Sequence, residues 1–340
     1  MGRWKVFSGI GCFAMIWLGC LNPSAFGQAK PLTLNYSTHM PAQHGVTLNA
    51  IDWGKEIEKR TQGKVKFTVM AGGTMLGADK CYDGVVKGIA DVGLAVPGFT
   101  RGRFPLSEVL DLPLGYKSAT AATRLANIYY RKFMPKEFAE SRVMYIFAHG
   151  PGVLLSKKIA NSLAEVKGMK VRCTGLSAKV VSAIGGAPVA MPVGETYDSL
   201  SRGVVDASFN SVEAAKAWKL AEVTKCIIES PAIGYTTSFF VVMNKRVWNS
   251  LGPETQKIVE KVNEEWIERE AAGWEKMEKE GRDFAVEMKN KMIAFSKEDN
   301  EKVAKAMKPL LDDYVATAKK SGLPGDEALK YCLDQLKTLQ

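Results

Sequence analysis

Two segments of the sequence carry the same pattern: Tyr82–Asp91 reads YDGVVKGIAD, and Tyr197–Asp206 reads YDSLSRGVVD. Four positions are identical, and the Val/Leu, Lys/Arg and Ile/Val differences are conservative. Each copy is typical of a helix, a glycine at which the helix stops, and a strand that carries an aspartate. Chance similarity between two ordinary helix–turn–strand units is one explanation. The other is a protein with two lobes built on one plan.

Strands and helices alternate around the first copy. Leu32–Tyr36 and Val65–Met70 have strand-like patterns, and Thr47–Arg60 has apolar residues at helical spacing. This rhythm predicts an α/β protein with largely parallel sheets. Lobes of this class bind ligands outside the carboxyl ends of their strands, so two facing lobes would enclose a ligand cleft.

The chain is expected to cross between the lobes at two short segments. The first is the Gly/Pro cluster at 149–152 (HGPG), and the second lies near 236–238 (TTS). Glycine and proline are the strongest sequence markers of such connections. The predicted lobes are lobe I at 30–149 plus 237–277 and lobe II at 150–236 plus 278–340.

A long C-terminal spine helix is predicted to brace both lobes. Pro253 occupies a first-turn position that proline favours, Glu254 adds an acid there, and helical apolar spacing continues to about Met292. A second helix is expected from the capping-box-like Ser296 to a stop before Gly322.

The N-terminus has the pattern of a secretory signal peptide, assigned to 1–27. Two cations precede the apolar run Val6–Leu18, and small residues provide cleavage sites near Gly27 or Ala29. Because the run is shorter than the ~18 apolar residues of a membrane span, we expect a periplasmic protein without stable membrane insertion. A retained anchor and lipidation at Cys20 are the alternatives.

The charge distribution argues against nucleic acid as a partner. The formal net charge is +10, and loss of Arg3 and Lys5 with the signal peptide lowers it to +8. The cations are interleaved with acids, and no Lys/Arg block is longer than two. This pattern indicates a solvated surface whose mild positive potential favours anionic ligands.

Cysteines are few and widely spaced in the mature chain. They are Cys81, Cys173, Cys226 and Cys332, and no two form a C-x-x-C pair. No zinc site is therefore indicated, and neither a metal nor a cofactor is expected. A disulfide is compatible with an oxidising compartment, but the sequence favours buried free thiols.

One arginine is placed to bind an anion. Lys170–Cys173 has the pattern of a short strand and a helix follows from Ser177, so Arg172 lies at a strand's carboxyl end near a helix N-terminus. A guanidinium holds a carboxylate with two parallel N–H bonds; a surface salt bridge is the alternative. Asn210 ends another strand of the same lobe, so its amide is expected to face the same crevice.

The other candidate ligand contacts are less specific. His39 follows the first strand, where ligand-facing loops are expected, and His149 lies at the first crossover; a structural role is the alternative for both. Bulky side chains that would wall the cleft, or else belong to the core, complete the predicted set: Met191, Phe209, Trp218 and Tyr235.

Several blocks, taken in this order, resemble the solute receptors of TRAP-type (tripartite ATP-independent periplasmic) transporters, the DctP-like family. The blocks are Met75–Gly77, Asp111–Pro113, Leu163–Arg172, Gly185–Pro192 and Tyr197–Asp206, and the resemblance extends from about Leu32 to the C-terminal helices. It implies a two-lobed periplasmic binding protein fold with Arg172 as carboxylate clamp and Asn210 as a neighbouring contact. The second arginine of the sialic-acid-binding branch is absent at 148–152, which argues against sialic acid.

The resemblance implies a receptor that captures a small organic acid by hinge closure and delivers it to membrane permease subunits driven by an ion gradient. The sequence contains no G-x-S-x-G, H-E-x-x-H, G-x-G-x-x-G or P-loop motif, so no enzyme activity is expected. The alternatives are a binding protein that presents its ligand to a sensor kinase or chemoreceptor, and a periplasmic enzyme.

Overall fold

The computed structural model describes residues 1–2, 30–100 and 102–340, of which Pro31–Gln340 form one compact unit. The predicted signal peptide, with its cleavage sites and Cys20, therefore lies outside the described residues apart from Met1 and Gly2. Within the described ranges, no helix combines the length and the apolar character that a membrane crossing requires.

Strands and helices alternate along most of the described chain. The strands are β1 (Leu32–Ser37), β2 (Val65–Met70), β3 (Val92–Ala95), β4 (Ser141–Ala148), β5 (Val153–Ser156), β6 (Lys170–Cys173), β7 (Ala187–Ala190), β8 (Ala207–Asn210), β9 (Cys226–Glu229), β10 (Ser238–Asn244) and β11 (Lys291–Ala294). The helices are α1 (Gly45–Arg60), α2 (Cys81–Lys87), α3 (Ala119–Phe133), α4 (Leu163–Val166), α5 (Ser177–Ala183), α6 (Thr196–Ser201), α7 (Ala214–Ala217), α8 (Lys245–Ser250), α9 (Pro253–Glu287), α10 (Lys297–Lys320) and α11 (Gly325–Leu339).

The strands form two sheets with the same internal order. The first sheet, on which lobe I is built, runs β2-β1-β3-β10-β4; the second, in lobe II, runs β7-β6-β8-β5-β9 with β11 added at its edge. The first three strands of each sheet are mutually parallel, and the fourth is antiparallel to both neighbours. The predicted α/β class is confirmed, and the two lobes share one plan.

The repeated sequence has the same structural role in both lobes. In lobe I the backbone N–H of Asp91 donates to the Asn35 carbonyl (3.1 Å), and the Asn35 N–H donates to the Asp91 carboxylate (2.8 Å). In lobe II, Asp206 and Lys170 make the same two bonds, at 2.7 and 3.0 Å. Each aspartate thereby fixes the strand next to one edge of its sheet, and in lobe II that strand, β6, carries Arg172.

The chain passes between the sheets at three places. It leaves the first sheet after Ala148 to enter β5, and it returns from β9 to enter β10 at Ser238. The helix α9, the spine helix, makes the third passage. Its Trp274 is buried in the core of lobe I, while its Gly281 lies so close to lobe II that a Cβ would come within 2.4 Å of the Val212 carbonyl oxygen. The spine helix therefore braces both lobes.

The spine helix is shorter than its sequence pattern predicts. It ends at Glu287 rather than near Met292, and Lys291–Ala294 forms strand β11, which pairs in parallel with β9. Lys289, between the two elements, has a φ of 61°, a left-handed conformation that a helix cannot continue through. The predicted end was wrong because apolar residues continue beyond the break, where they belong to a strand.

The last two helices, α10 and α11, contribute side chains to the cores of both lobes. α10 buries Val303 and Met307 in the core of lobe II, but Tyr314 in the core of lobe I. α11 contributes Cys332 and Leu336 to the core of lobe I. The predicted boundaries place 278–340 in lobe II, whereas this segment packs on both lobes.

A buried carboxyl on the spine helix contacts lobe I. Glu270 is 1% exposed, and its Oε2 accepts a hydrogen bond from the Asn49 amide (3.1 Å). Burial raises the pKa of Glu270 to about 8, against the opposing effects of the Asn49 hydrogen bond and of Arg269. The folded state therefore holds the proton between pH 4.5 and about pH 8 while the unfolded chain releases it. This contribution to stability is complete at low pH and is lost as the pH rises through that window.

We expect E270Q to weaken the pH dependence of unfolding. Wild type should lose about 3 kcal/mol of unfolding free energy through Glu270 between pH 5.5 and 8.5, because each pH unit in the window is worth about 1.4 kcal/mol. Urea unfolding at both pH values measures this. The control E268Q removes a carboxylate whose pKa Arg124 lowers, so its pH slope should match wild type; an E270Q slope equal to wild type would contradict the assignment.

Candidate functional site

A cavity of about 670 Å³ lies between the two lobes, of a size suited to a small organic ligand. Its walls are largely glycine and apolar side chains. From lobe I the lining residues are His39, Pro41, Gly72, Gly73, Gly77, Ala78, Asp79, Gly98 and Phe99; from lobe II they are Thr174, Gly175, Ala190, Met191, Pro192, Val193, Gly194 and Trp218. The lobe II wall follows the carboxyl ends of β6 and β7, as expected for this fold class.

The lobes meet backbone to backbone beside this cavity. A Cβ on Gly98 of lobe I would lie 3.0 Å from the Cα of Gly175 of lobe II, and Gly175 has a φ of 53°. A side chain at either position would force the lobes apart. The two glycines thus allow the cleft to close to direct contact.

Arg172 is buried next to the lobe II wall, where β6 ends. Its side chain is held by neutral acceptors: Nε donates to the Met191 carbonyl (3.1 Å) and Nη1 donates to Oδ1 of Asn210 (2.9 Å). The register of β6 and β8 explains this pairing, because Arg172 lies opposite Ser208 and Asn210 is the next residue on the same face. The Asn210 amide in turn donates to the Ser208 hydroxyl (2.9 Å).

The guanidinium has no counter-ion among the described residues. Arg172 is 2% exposed, and burial lowers its pKa to about 10, against smaller opposing effects of Cys173, Tyr235 and Glu195. A buried cation without a paired anion is unfavourable, and an anionic ligand would remove that penalty. Arg172 does not line the cavity itself; the Met191 carbonyl that it binds lies in the lining segment.

Of the residues predicted to contact the ligand, three line the cavity and one lies near Arg172. His39, Met191 and Trp218 line the cavity. Tyr235 is buried, which raises the pKa of its hydroxyl, and the nearby Arg172 has a smaller, opposite effect. The hydroxyl bonds to that of Thr237 (2.9 Å).

Two predicted contacts lie elsewhere. Phe209 is on the opposite face of β8 from Asn210, with its ring in the lobe II core, 5.5 Å from the Tyr235 ring. His149 links the two crossover segments: its Nδ1 lies 2.5 Å from the Gly150 carbonyl oxygen, and its Nε2 accepts a hydrogen bond from the Thr237 N–H (3.1 Å). Both ring nitrogens are thus engaged, and burial lowers the pKa of His149 to about 4.

The sequence interpretation missed the glycine-rich part of the cavity and its aromatic wall. Gly72, Gly73 and Gly77 line the cavity after β2, and Phe99 follows β3. The available signal was the glycine cluster directly after a strand, since ligands in this class approach the backbone at strand ends.

The described residues contain no group of three or more His, Cys, Asp or Glu side chains arranged for a metal ion. The four cysteines of the described ranges are buried, and Cys81, Cys226 and Cys332 are free thiols, as the sequence predicts. Burial raises the pKa of Cys81 to about 12, which keeps this thiol protonated and unreactive.

Comparison with known proteins identifies close structural relatives. The family model for bacterial extracellular solute-binding protein, family 7 (DctP), matches residues 36–318. A TRAP periplasmic solute-binding protein from Desulfovibrio salexigens is 31% identical, with a TM-score of 0.81 over 90% of this chain and 95% of that one. A TRAP solute-binding protein from Rhodoferax ferrireducens with copurified benzoate is 27% identical (TM-score 0.85; 91% and 98% covered). One from Bordetella bronchiseptica with bound (R)- and (S)-mandelate is 26% identical (TM-score 0.84; 91% and 100% covered).

We expect N210D to stabilise the ligand-free protein while abolishing its affinity for anions. A carboxylate at this position would lie within hydrogen-bond distance of Arg172 and supply the missing counter-ion, worth about 1–3 kcal/mol. The unfolding temperature should therefore rise by several degrees in thermal denaturation. S208A is the matched control, because it alters the same network without adding charge. If the unfolding temperature of N210D is equal to or below that of wild type, the absence of a counter-ion at Arg172 does not destabilise the ligand-free protein, and the interpretation is wrong.

Proposed function

The chain belongs to bacterial extracellular solute-binding protein family 7, the DctP family of TRAP solute receptors, and from this premise we propose that it binds a bulky, largely apolar monocarboxylate in the cleft. Arg172 is the proposed carboxylate clamp, with Asn210 beside it. The observation that carries the proposal is the buried guanidinium without a counter-ion, next to a cavity between two lobes.

A carboxylate is the anion that this arrangement suits best. A guanidinium offers five N–H donors in a planar fork, which matches the two oxygens of a carboxylate. Two bonds to neutral acceptors, Met191 and Asn210, hold the fork in place. Because Met191 also lines the cavity, a small shift of this segment would bring the ligand's carboxylate to the guanidinium.

The cavity favours a single negative charge on the ligand. No lysine or arginine is among the described residues that line it, and Asp79 would repel a second carboxylate. Phe99, Met191 and Trp218 offer apolar contact to the body of the ligand. The relatives from Rhodoferax ferrireducens and Bordetella bronchiseptica, with benzoate and mandelate, hold acids of this kind.

Ligand capture is proposed to proceed by closure of the lobes about the two crossovers. Both crossovers are short connections between sheets, and the spine helix packs on both lobes. A closed, loaded receptor would dock on membrane permease subunits, and no chemical step is required of it. The proposal includes export to the periplasm, with cleavage near Gly27 or Ala29 as its sequence predicts.

We expect R172A to lose most affinity for the carboxylate. The variant would leave the ligand's charge buried and unpaired, a cost of about 3–5 kcal/mol, or ~100-fold or more in the dissociation constant. Isothermal titration calorimetry with benzoate and mandelate measures this, and R172K should recover part of the loss because it restores charge but not the fork.

The matched control is R202A, which removes an exposed arginine of the same lobe and should bind as wild type does. Circular dichroism and thermal unfolding confirm that each variant is folded. R172A binding either acid within a few-fold of wild type would reject the clamp.

A further inference from the structure

The three histidines of the chain differ in what their rings bind. His44 accepts from the Val46 N–H through Nδ1 (3.2 Å), and its Nε2 lies 3.5 Å from a Glu213 carboxylate oxygen. His149 has both ring nitrogens bonded to backbone groups. Among the described residues, the His39 ring has no hydrogen-bond partner, and its Nδ1 is buried. The fold thus provides partners for two histidine rings and leaves the third without any.

His39 lies in the wall of the ligand cavity. It follows β1 and lines the cavity together with Phe99, whose ring it meets edge-on at a centroid distance of 5.4 Å. The rest of this wall consists of glycines and the apolar Pro41 and Ala78, together with Asp79, to which the His39 ring makes no hydrogen bond. The buried Nδ1 is closed off from the cavity, whereas Nε2 is not among the buried unpaired atoms, so an occupant of the cavity would meet the ring at Nε2. A polar ring atom without a partner in such a wall costs free energy unless the occupant supplies one.

The ring carries no charge at neutral pH. Burial, with a smaller effect of His44, lowers the pKa of His39 to about 4. A neutral imidazole has one N–H donor and one acceptor nitrogen. It therefore suits a neutral group that can donate or accept, such as a hydroxyl, and gives a second carboxylate no electrostatic attraction.

We infer that His39 determines specificity by binding a hydroxyl group on the ligand's body, away from the carboxylate held by Arg172. This inference rests on the proposed function and narrows its substrate class to monocarboxylates whose apolar body carries a hydroxyl group. The cavity spans both lobes, with His39 on the wall of lobe I and Arg172 beside the wall of lobe II. A ligand held at both ends would therefore bridge the lobes.

The test compares benzoate with 2-, 3- and 4-hydroxybenzoate by isothermal titration calorimetry. Wild type should bind at least one hydroxybenzoate about 10-fold more tightly than benzoate, as one additional hydrogen bond provides. H39F keeps an aromatic ring against Phe99 but has no polar atom. It should bind benzoate within about 3-fold of wild type and lose the preference for the hydroxyl, whereas H39Q, which keeps a donor and an acceptor, should retain part of it.

Two results would overturn the inference: equal binding of benzoate and every hydroxybenzoate by wild type, or an equal loss of all four acids in H39F. The second would mean that His39 only shapes the wall. Failure of the proposed function gives a different pattern, in which wild type binds none of the acids or R172A binds them unchanged. Thermal unfolding of H39F and H39Q verifies that both variants are folded.

Discussion

The unpaired charge of Arg172 is the constraint around which the second lobe is arranged. A buried guanidinium is costly without an anion, and within the described part of the chain its hydrogen-bond partners are the neutral oxygens of Met191 and Asn210. Those oxygens orient the side chain without neutralising it. The folded protein therefore contains an uncompensated buried positive charge, which an anionic ligand can neutralise.

The position of that arginine follows from the shared plan of the two lobes. Both sheets have the same strand order, and in both an aspartate at the end of the repeated sequence fixes the strand next to the edge through two hydrogen bonds. In the second lobe that strand is β6. Its neighbours β7 and β8 bring Met191 and Asn210 to the guanidinium. Two copies of one supersecondary unit thus produce two facing walls, and among the described residues the buried cation belongs to the wall of lobe II.

Much of this architecture could be predicted from the sequence, because the repeat and the strand patterns are local signals. The end of the spine helix could not, since Met292 and Ile293 continue an apolar spacing that suits a half-buried strand equally well. Nor does the amphipathic pattern of α11 indicate the lobe on which it packs. At the site, Arg172 and Asn210 were predicted to converge because parallel strands end at the same edge. Phe209 was placed beside them although adjacent strand residues face opposite ways.

The contact between Gly98 and Gly175 influences the equilibrium between the open and closed forms of the receptor. Two backbones without side chains set the closest approach of the lobes, so a methyl group there would act as a wedge. Such a wedge lies beside the cavity and touches none of the residues that hold Arg172. Evolution could therefore adjust the affinity of the receptor through the closing equilibrium alone, leaving its choice of ligand untouched.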